Sequence, residues 1–262
     1  MKDNARSPLK DKPLRVPGQS IEEQRDKLFE DKLETPALVA VFALLLAGWE
    51  WWRYFTHTPP MPRLMSAIAL CVVTLAVWRL WRARPLLRSL RLALDGERVV
   101  GQFLERLREQ GYQVFHDIVG TGFNVDHVII GPAGIFTVET KTWSKPARGD
   151  ARVVFDGERI LIHGREPDRD PVVQAKAQAT WLRQVIAEST GRQFTVRPVI
   201  LFPGWFIEQS EGSTRELWVL EPKALPKFLE QSGNALSPED VKLASFHLSR
   251  LVRAYERERT SR

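Results

Sequence analysis

The sequence contains very little cysteine: Cys71 is the one cysteine among 262 residues. A single thiol cannot form a disulfide within the chain, and a cysteine-rich zinc site needs several thiolates. A disulfide-stabilised scaffold and a zinc finger are therefore both excluded. Cys71 itself lies inside an apolar stretch, where it is best interpreted as a small apolar residue of a helix.

The C-terminal two thirds of the chain lack net charge. Residues 95–262 contain 23 basic and 23 acidic side chains, whereas residues 1–94 contain 15 basic and 9 acidic ones. The formal charge of +6 therefore comes from the N-terminal third. For this reason the high pI is not by itself a footprint for nucleic acid, and it fits the basic flanks of a membrane segment better.

Long apolar runs occur only before residue 82, at 37–55 and 64–81. Each run is close to the roughly 20 residues that a helix needs to cross a bilayer. Glu50 and Arg79 interrupt the runs near their ends, where charged side chains can reach the interface. The alternative is a helical pair buried in a soluble protein, but such a pair would show polar stripes, and these runs are apolar on all sides. The runs therefore predict a transmembrane helical hairpin at 36–82.

Basic residues are distributed unevenly around this hairpin. Eight precede the first run and five follow Val77, whereas the connector between the runs holds only Arg53 and Arg63. By the positive-inside rule, this distribution predicts a multi-pass protein of the inner (cytoplasmic) membrane with both termini in the cytoplasm. The expected partner of the hairpin is the lipid bilayer.

The predicted domains are a charged flexible cytoplasmic tail (1–35), the hairpin (36–82), a basic linker (83–94) and a C-terminal domain (95–262). Within the C-terminal domain, helical and strand-like patterns follow one another as in a mixed α/β sheet domain flanked by helices. Helices are predicted at 95–110, 171–188 and 238–259, and strands at 112–119, 124–130, 135–140, 151–155, 159–163, 196–202 and 216–220.

Three charged residues stand out on two of these strands: Asp126 on one, and Glu139 and Lys141 on the next. Strand alternation places Glu139 and Lys141 on the same face, and the Gly-Pro-Ala-Gly turn at 131–134 folds the neighbouring strand back beside them. Charges on otherwise apolar strands are costly unless they are paired or bind a metal. A salt bridge on the strand surface is the alternative interpretation of this spacing.

The trio suits metal-dependent hydrolysis of phosphodiesters. The carboxylates of Asp126 and Glu139 are hard oxygen ligands for Mg²⁺ or Mn²⁺, and the backbone carbonyl of Thr140 is a further candidate ligand. A bound metal polarises the phosphate and lowers the pKa of an attacking water. Lys141 can position that water and stabilise the charge that develops on the phosphate.

Several separated motifs in residues 95–190 resemble, in order, the nuclease-related domain (NERD), a branch of the PD-(D/E)xK nuclease superfamily. The matching pieces are Gly96-Glu97, Asp126-His127-Val128 with Gly131-Pro132, Gly134-Ile135-Phe136, Glu139-Thr140-Lys141, and Asp170-Pro171 followed by Gln174. The resemblance implies a restriction-endonuclease-like fold and Mg²⁺-dependent cleavage or processing of DNA. The departures, Arg98 after Glu97 and Asp170 in place of the more usual asparagine, leave the trio untouched.

The resemblance also adds two candidate catalytic residues. In the superfamily a glutamate of the first helix often joins the site, which corresponds to Glu97, and a helix glutamine often sits beside the metal, which corresponds to Gln174. Each has a simpler explanation, because a glutamate at a helix start interacts favourably with the helix dipole and a helix glutamine can be solvated. His127 points to the face opposite Asp126, so we expect it to be packed rather than to bind a metal.

The sequence therefore supports one leading hypothesis and two alternatives. The first is a membrane-anchored, divalent-metal-dependent nuclease or DNA-processing enzyme. The alternatives are a catalytically silent nucleic-acid-binding or signalling module at the membrane, which the neutral charge of residues 95–262 favours, and a membrane scaffold that binds protein. The complete trio separates the first from the others, because a pure binding module needs no such set of charges.

Overall fold

The computed structural model describes residues 14–30, 34–57, 59, 61–120, 122–145, 151–210 and 216–261. The chain divides into two compact units. One consists of residues 20–91, and the other combines the described residues from Leu92 onward with residues 14–19. The sequence placed the start of its C-terminal domain at residue 95 and assigned residues 1–35 to a flexible tail.

Helices make up the unit at residues 20–91, in which α1 (Gln19–Phe29) and α2 (Thr35–Phe55) precede α3 (Pro62–Glu105). Both predicted apolar runs lie within α2 and α3, and these two helices are long and apolar enough to cross a membrane. Glu50, which interrupts the first run, accepts hydrogen bonds from Arg53 and from the backbone N–H of Met61 in the connector. The charge that interrupts the apolar run is therefore paired at the end of the helix.

Helix α3 continues through the segment for which the sequence predicted a basic linker, residues 83–94. Pro85 lies inside the helix, where it removes one backbone hydrogen bond. The residues that follow it are mostly leucine, arginine and alanine, which have high helix propensity. The helix therefore persists past the proline and ends at Glu105, where a short 3₁₀ helix (Arg106–Gln110) takes over.

The second unit is a mixed α/β domain with one five-stranded sheet and one three-stranded sheet. The strands are β1 (Gln113–Val119), β2 (Asn124–Gly131), β3 (Gly134–Thr140), β4 (Arg152–Phe155), β5 (Ile160–Ile162), β6 (Val196–Leu201), β7 (Phe206–Gln209) and β8 (Trp218–Leu220). In the larger sheet β1, β2 and β3 are antiparallel, whereas β6 and β8 continue in parallel beside β3. In the smaller sheet β4 pairs with β5 as a hairpin and with β7 in parallel. The mixed sheet and all seven predicted strands are confirmed, while β7 was missed.

Helices cover both faces of the larger sheet. They are α4 (Pro171–Thr190), α5 (Leu225–Gln231) and α6 (Pro238–Ser261), together with the end of α3. On β2, Ile129 packs in the cluster of α3 and α5, while Val128 and Ile130 pack in the cluster of α4 and α6. This alternation is why the strands are apolar throughout: both of their faces are buried. The short helix α5 was not predicted.

Candidate active site

The hairpin of β2 and β3 brings the predicted trio together. The two strands pair in antiparallel register through Gly131 and Gly134, as the turn chemistry predicted. At the open end of the pair, the backbone N–H of Thr140 donates to Asp126 Oδ2 at 2.7 Å. On the face that alternation predicted, Lys141 Nζ donates to Glu139 Oε1 at 2.6 Å.

Helix α4 adds two glutamines that hold the carboxylate of Glu139. Gln174 donates through Nε2 to Glu139 Oε1 at 2.7 Å and accepts from Lys141 Nζ at 2.9 Å. One turn later, Gln178 donates to Glu139 Oε2 at 2.6 Å and to the carbonyl of Asn124 at 2.9 Å. Both oxygens of Glu139 are therefore engaged, and its carboxylate is fixed in orientation.

The start of α4 explains why these glutamines face the sheet. Asp170 caps the helix by accepting from the backbone N–H groups of Val172 and Val173, and Pro171 occupies the first turn. Gln174 and Gln178 are four residues apart and so share one helix face. The family resemblance selected Gln174 alone, with a solvated position as the alternative for both glutamines, but Gln178 is only 1% exposed. The shared face was the available signal for it.

Glu97 reaches the site from α3, where close packing keeps it buried. A Cβ atom on the preceding residue, Gly96, would lie 1.8 Å from Thr142 Oγ1, two residues beyond the end of β3. Only glycine therefore allows α3 to approach the strand end so closely. The backbone of Gly18 hydrogen-bonds to the Glu97 carboxylate.

The carboxylates of the site repel one another in a buried environment. Burial, followed by the charges of Asp117 and Glu139, raises the pKa of Glu97 to about 8. Burial, followed by the charges of Glu139 and Glu97, raises the pKa of Asp126 well above its usual value, although the Thr140 N–H and Lys141 oppose this. One lysine therefore faces several acidic groups, which is the electrostatic condition that favours a bound cation.

The donors at the site are oxygen atoms, the kind that hard divalent ions prefer. Asp126, Glu139 and Glu97 offer carboxylate oxygens, and the Thr140 carbonyl points to the same side of β3 as the N–H that contacts Asp126. Among the residues that the structure describes, no three His, Cys, Asp or Glu side chains are grouped closely enough to hold a metal ion.

Two buried polar atoms near the site also lack a hydrogen-bond partner within the described part of the chain, Gln178 Oε1 and Thr142 Oγ1. Buried polar groups are nearly always satisfied by protein or by ordered water. Unpartnered atoms at these positions fit a hydrated ion, because Mg²⁺ usually keeps several of its waters when a protein binds it.

Behind the site, on the opposite face of β2, lies a chain of polar side chains that sequence reasoning did not foresee. His127 is fully buried and contacts His116 through the two Nδ1 atoms, 2.9 Å apart. Its Nε2 atom lies 3.4 Å from Thr140 Oγ1, and His116 Nε2 lies 2.7 Å from a Glu105 carboxylate oxygen. His127 is therefore packed behind the strand that presents Asp126, as the sequence predicted.

A comparison with known families agrees with this geometry. Residues 93–203 match the family model of the nuclease-related domain. This match confirms the resemblance on the segment that contains every sequence-predicted site residue, and it suggests a nuclease-related function. No curated protein and no solved structure shows significant similarity to the chain.

Proposed function

We propose that the nuclease-related domain at residues 93–203 is a divalent-metal-dependent phosphodiesterase that cleaves or processes DNA. The observation that carries the proposal is the contact set that joins Glu139 to Lys141, Gln174 and Gln178, with Asp126 held beside it by the Thr140 N–H. Surface salt bridges on strands need no helix glutamines on both carboxylate oxygens. A site that fixes a carboxylate so completely supports chemistry rather than simple pairing.

The topology further supports a restriction-endonuclease-like fold. An antiparallel hairpin, β2–β3, presents the acidic residues and the lysine, and β3 then pairs in parallel with β6. Helix α3 precedes this core, while α4 lies between β3 and β6 in sequence and contacts both. The site residues therefore come from the open end of the β2–β3 hairpin, from α3 and from α4.

Few residues are needed for the proposed reaction. When bound, Mg²⁺ or Mn²⁺ supplies a Lewis acid that polarises the phosphate and lowers the pKa of a water. The Asp126 and Glu139 carboxylates and the Thr140 carbonyl would hold the ion. Lys141 would orient the attacking water and stabilise negative charge on the phosphate oxygens. Water forms the new P–O bond, and the departing sugar oxygen takes a proton from solvent, which leaves a phosphate monoester and a free hydroxyl.

We further propose that α2 and the first part of α3 anchor the enzyme in the inner membrane, with both termini in the cytoplasm. Large apolar side chains on both helices are exposed, including Phe42, Trp52 and Leu70. A soluble helical pair would bury such residues, whereas lipid tails cover them at no cost. Protease protection in membrane vesicles tests the topology. A protease on the cytoplasmic side should cut the segments on both sides of the hairpin, whereas the connector between α2 and α3 should stay protected.

A catalytically silent binding or signalling module is the second candidate. It is favoured by the balanced charge of residues 95–262. A nuclease groove usually carries an excess of basic residues, which attract the phosphate backbone. Cleavage assays separate the two candidates.

The deciding assay uses the full chain in detergent micelles with plasmid, linear duplex and single-stranded DNA, in Mg²⁺, Mn²⁺ or EDTA. Asp126→Asn and Lys141→Ala should each lower metal-dependent cleavage by about 100-fold or more, since each removes a charge that acts on the reacting phosphate. The matched controls Asp168→Asn and Lys227→Ala change exposed residues of the same types and should cleave normally. Two outcomes would contradict the proposal: a wild-type chain that binds DNA without cutting it, and a wild-type chain that cuts DNA in EDTA.

A further inference from the structure

Residues 14–18, Leu-Arg-Val-Pro-Gly, lie against the nuclease-related unit, although the sequence assigned them to a charged tail. We name this segment the N-terminal strap. Leu14 packs against the buried cluster that α4 and α6 share with the sheet. The strap is therefore a structural part of the unit that carries the candidate active site.

Arg15 fixes the strap by a buried pair of salt bridges. Its guanidinium donates to Asp117 through Nε at 2.8 Å and Nη2 at 2.7 Å, and to Glu256 through Nη1 at 2.8 Å. The residue is only 4% exposed. A buried guanidinium is tolerated only when well-placed carboxylates compensate for its lost hydration, and here two do so from distant parts of the chain.

Helix α3 leaves space for the strap at Gly101. A Cβ atom on Gly101 would lie 2.4 Å from Pro17 Cγ and 2.8 Å from Pro17 Cβ. Glycine is the poorest helix former after proline, so its presence inside α3, about one turn before the helix ends at Glu105, calls for a packing reason. The ring of Pro17, which occupies the space of the missing side chain, is that reason.

The strap ends on the candidate catalytic residue. The backbone N–H of Gly18 donates to the Glu97 carboxylate, and an ideal Cβ on Gly18 would lie 3.7 Å from Glu97 Oε2. The strap also acts on Glu97 indirectly, because Arg15 neutralises Asp117, the charge that repels the Glu97 carboxylate most strongly. The Gly18 contact favours one orientation of this carboxylate in the site.

From these contacts we propose that the N-terminal strap is a positioning element of the active site, which holds the Glu97 carboxylate in place for the reaction. The inference rests on the proposed function, since it assigns the strap a part in that chemistry. It predicts that the nuclease-related domain alone is incomplete, because a segment some 80 residues away in sequence supplies the donor to Glu97.

Gly101→Ala in the full chain tests the strap directly. The added methyl group displaces Pro17 while improving helix propensity, so the variant should fold normally. Pro17→Gly combined with Gly101→Ala restores the space and should return the strap to its position. Gly48→Ala is the matched control, because Gly48 is also a helix glycine but has open space around its missing Cβ.

Hydrogen exchange of the peptide that covers residues 14–18 reports on docking without any catalysis. We expect protection in the wild type and in Gly48→Ala, loss of protection in Gly101→Ala, and recovery in the double variant. Glu97→Ala removes the acceptor of the Gly18 N–H, so exchange at Gly18 should rise at least tenfold. Free exchange of the strap in the wild type overturns the inference. So does a Gly18 exchange rate that Glu97→Ala leaves unchanged.

Cleavage kinetics then report on positioning. Gly101→Ala should lower kcat at least tenfold with KM for DNA within twofold of wild type, and the double variant should restore kcat. Full kcat in a variant whose strap exchanges freely also overturns the inference. If the wild-type chain cleaves no DNA, the proposed function fails, and the exchange measurements alone decide whether the strap holds Glu97.

Discussion

The Nδ1 atoms of His116 and His127 lie 2.9 Å apart in the core, so the two imidazoles share one hydrogen bond. Only one of these atoms can donate in such a bond, which means that the two rings cannot both be protonated. Burial lowers the pKa of both histidines, and that of His127 falls well below its usual value. Protonation of both rings would therefore break the bond that they share, and burial favours the neutral form of each.

This pair predicts a contribution to stability that is lost in acid. In the unfolded chain both histidines take up protons near pH 6.5, whereas in the folded chain they resist protonation, so stability is present above pH 6.5 and is lost as the pH falls below it. The difference in unfolding temperature between the wild type and His127→Gln, followed from pH 8 to pH 5, measures this contribution. His127→Gln should flatten the dependence, whereas the control His247→Gln should leave it intact; an unchanged slope in His127→Gln would contradict the prediction.

A second prediction concerns Glu97, whose pKa is raised from 4.5 to about 8. The folded state binds this proton more tightly than the unfolded state, so the resulting stability is complete below pH 4.5 and is lost as the pH rises through about 8. At pH 7 the Glu97 carboxyl holds its proton in the folded chain and loses it in the unfolded chain, and this difference lowers the stability. Glu97→Gln removes the titrating group and should raise the free energy of unfolding at pH 7 by on the order of 2 kcal/mol. Denaturant unfolding at pH 7 and at pH 4 checks this, with exposed Glu158→Gln as the control. Equal effects at both pH values would argue against a raised pKa of Glu97.

A third prediction is that metal binding releases protons. Glu97 and Asp126 hold protons more strongly than usual, and a divalent cation would displace them. Calorimetric titration with Mn²⁺ near pH 7, repeated in buffers of different ionisation enthalpy, should show net proton release and an affinity that rises with pH. Metal binding to the Asp126→Asn variant should release fewer protons than binding to the wild type. Binding without any buffer dependence would mean that these carboxyl groups do not take part.

A fourth prediction concerns Gln178, whose amide joins Glu139 Oε2 to the Asn124 carbonyl. Gln178→Ala leaves two buried acceptors without their donor and should cost about 1–3 kcal/mol of stability. Because Glu139 then loses its fixed orientation, kcat should also fall, by about tenfold or more. The control is Gln184→Ala, at an exposed position of the same helix. Normal kcat in Gln178→Ala would show that the orientation of Glu139 does not depend on this amide.

The sequence by itself determined the features that depend on neighbours along the chain. The apolar runs of α2 and α3, the Asp170 cap of α4 and the turn between β2 and β3 all follow from spacing within a few residues. The core of the site was accessible for the same reason. Asp126 and Lys141 are 15 residues apart, and one hairpin with period-two alternation is sufficient to bring them together.

Only the tertiary structure decided the contacts between distant segments. Arg15 lies 102 residues from Asp117 and 241 residues from Glu256, and nothing in its local sequence distinguishes it from the other basic residues of the tail. Gln178 likewise looks like a solvated helix residue until α4 is placed against β3. Such pairings depend on which surfaces meet after collapse, since burial and ion pairing are properties of the assembled fold rather than of any window of sequence. The local pattern thus determined which groups form the site, and the packing of distant segments decided what holds them in place.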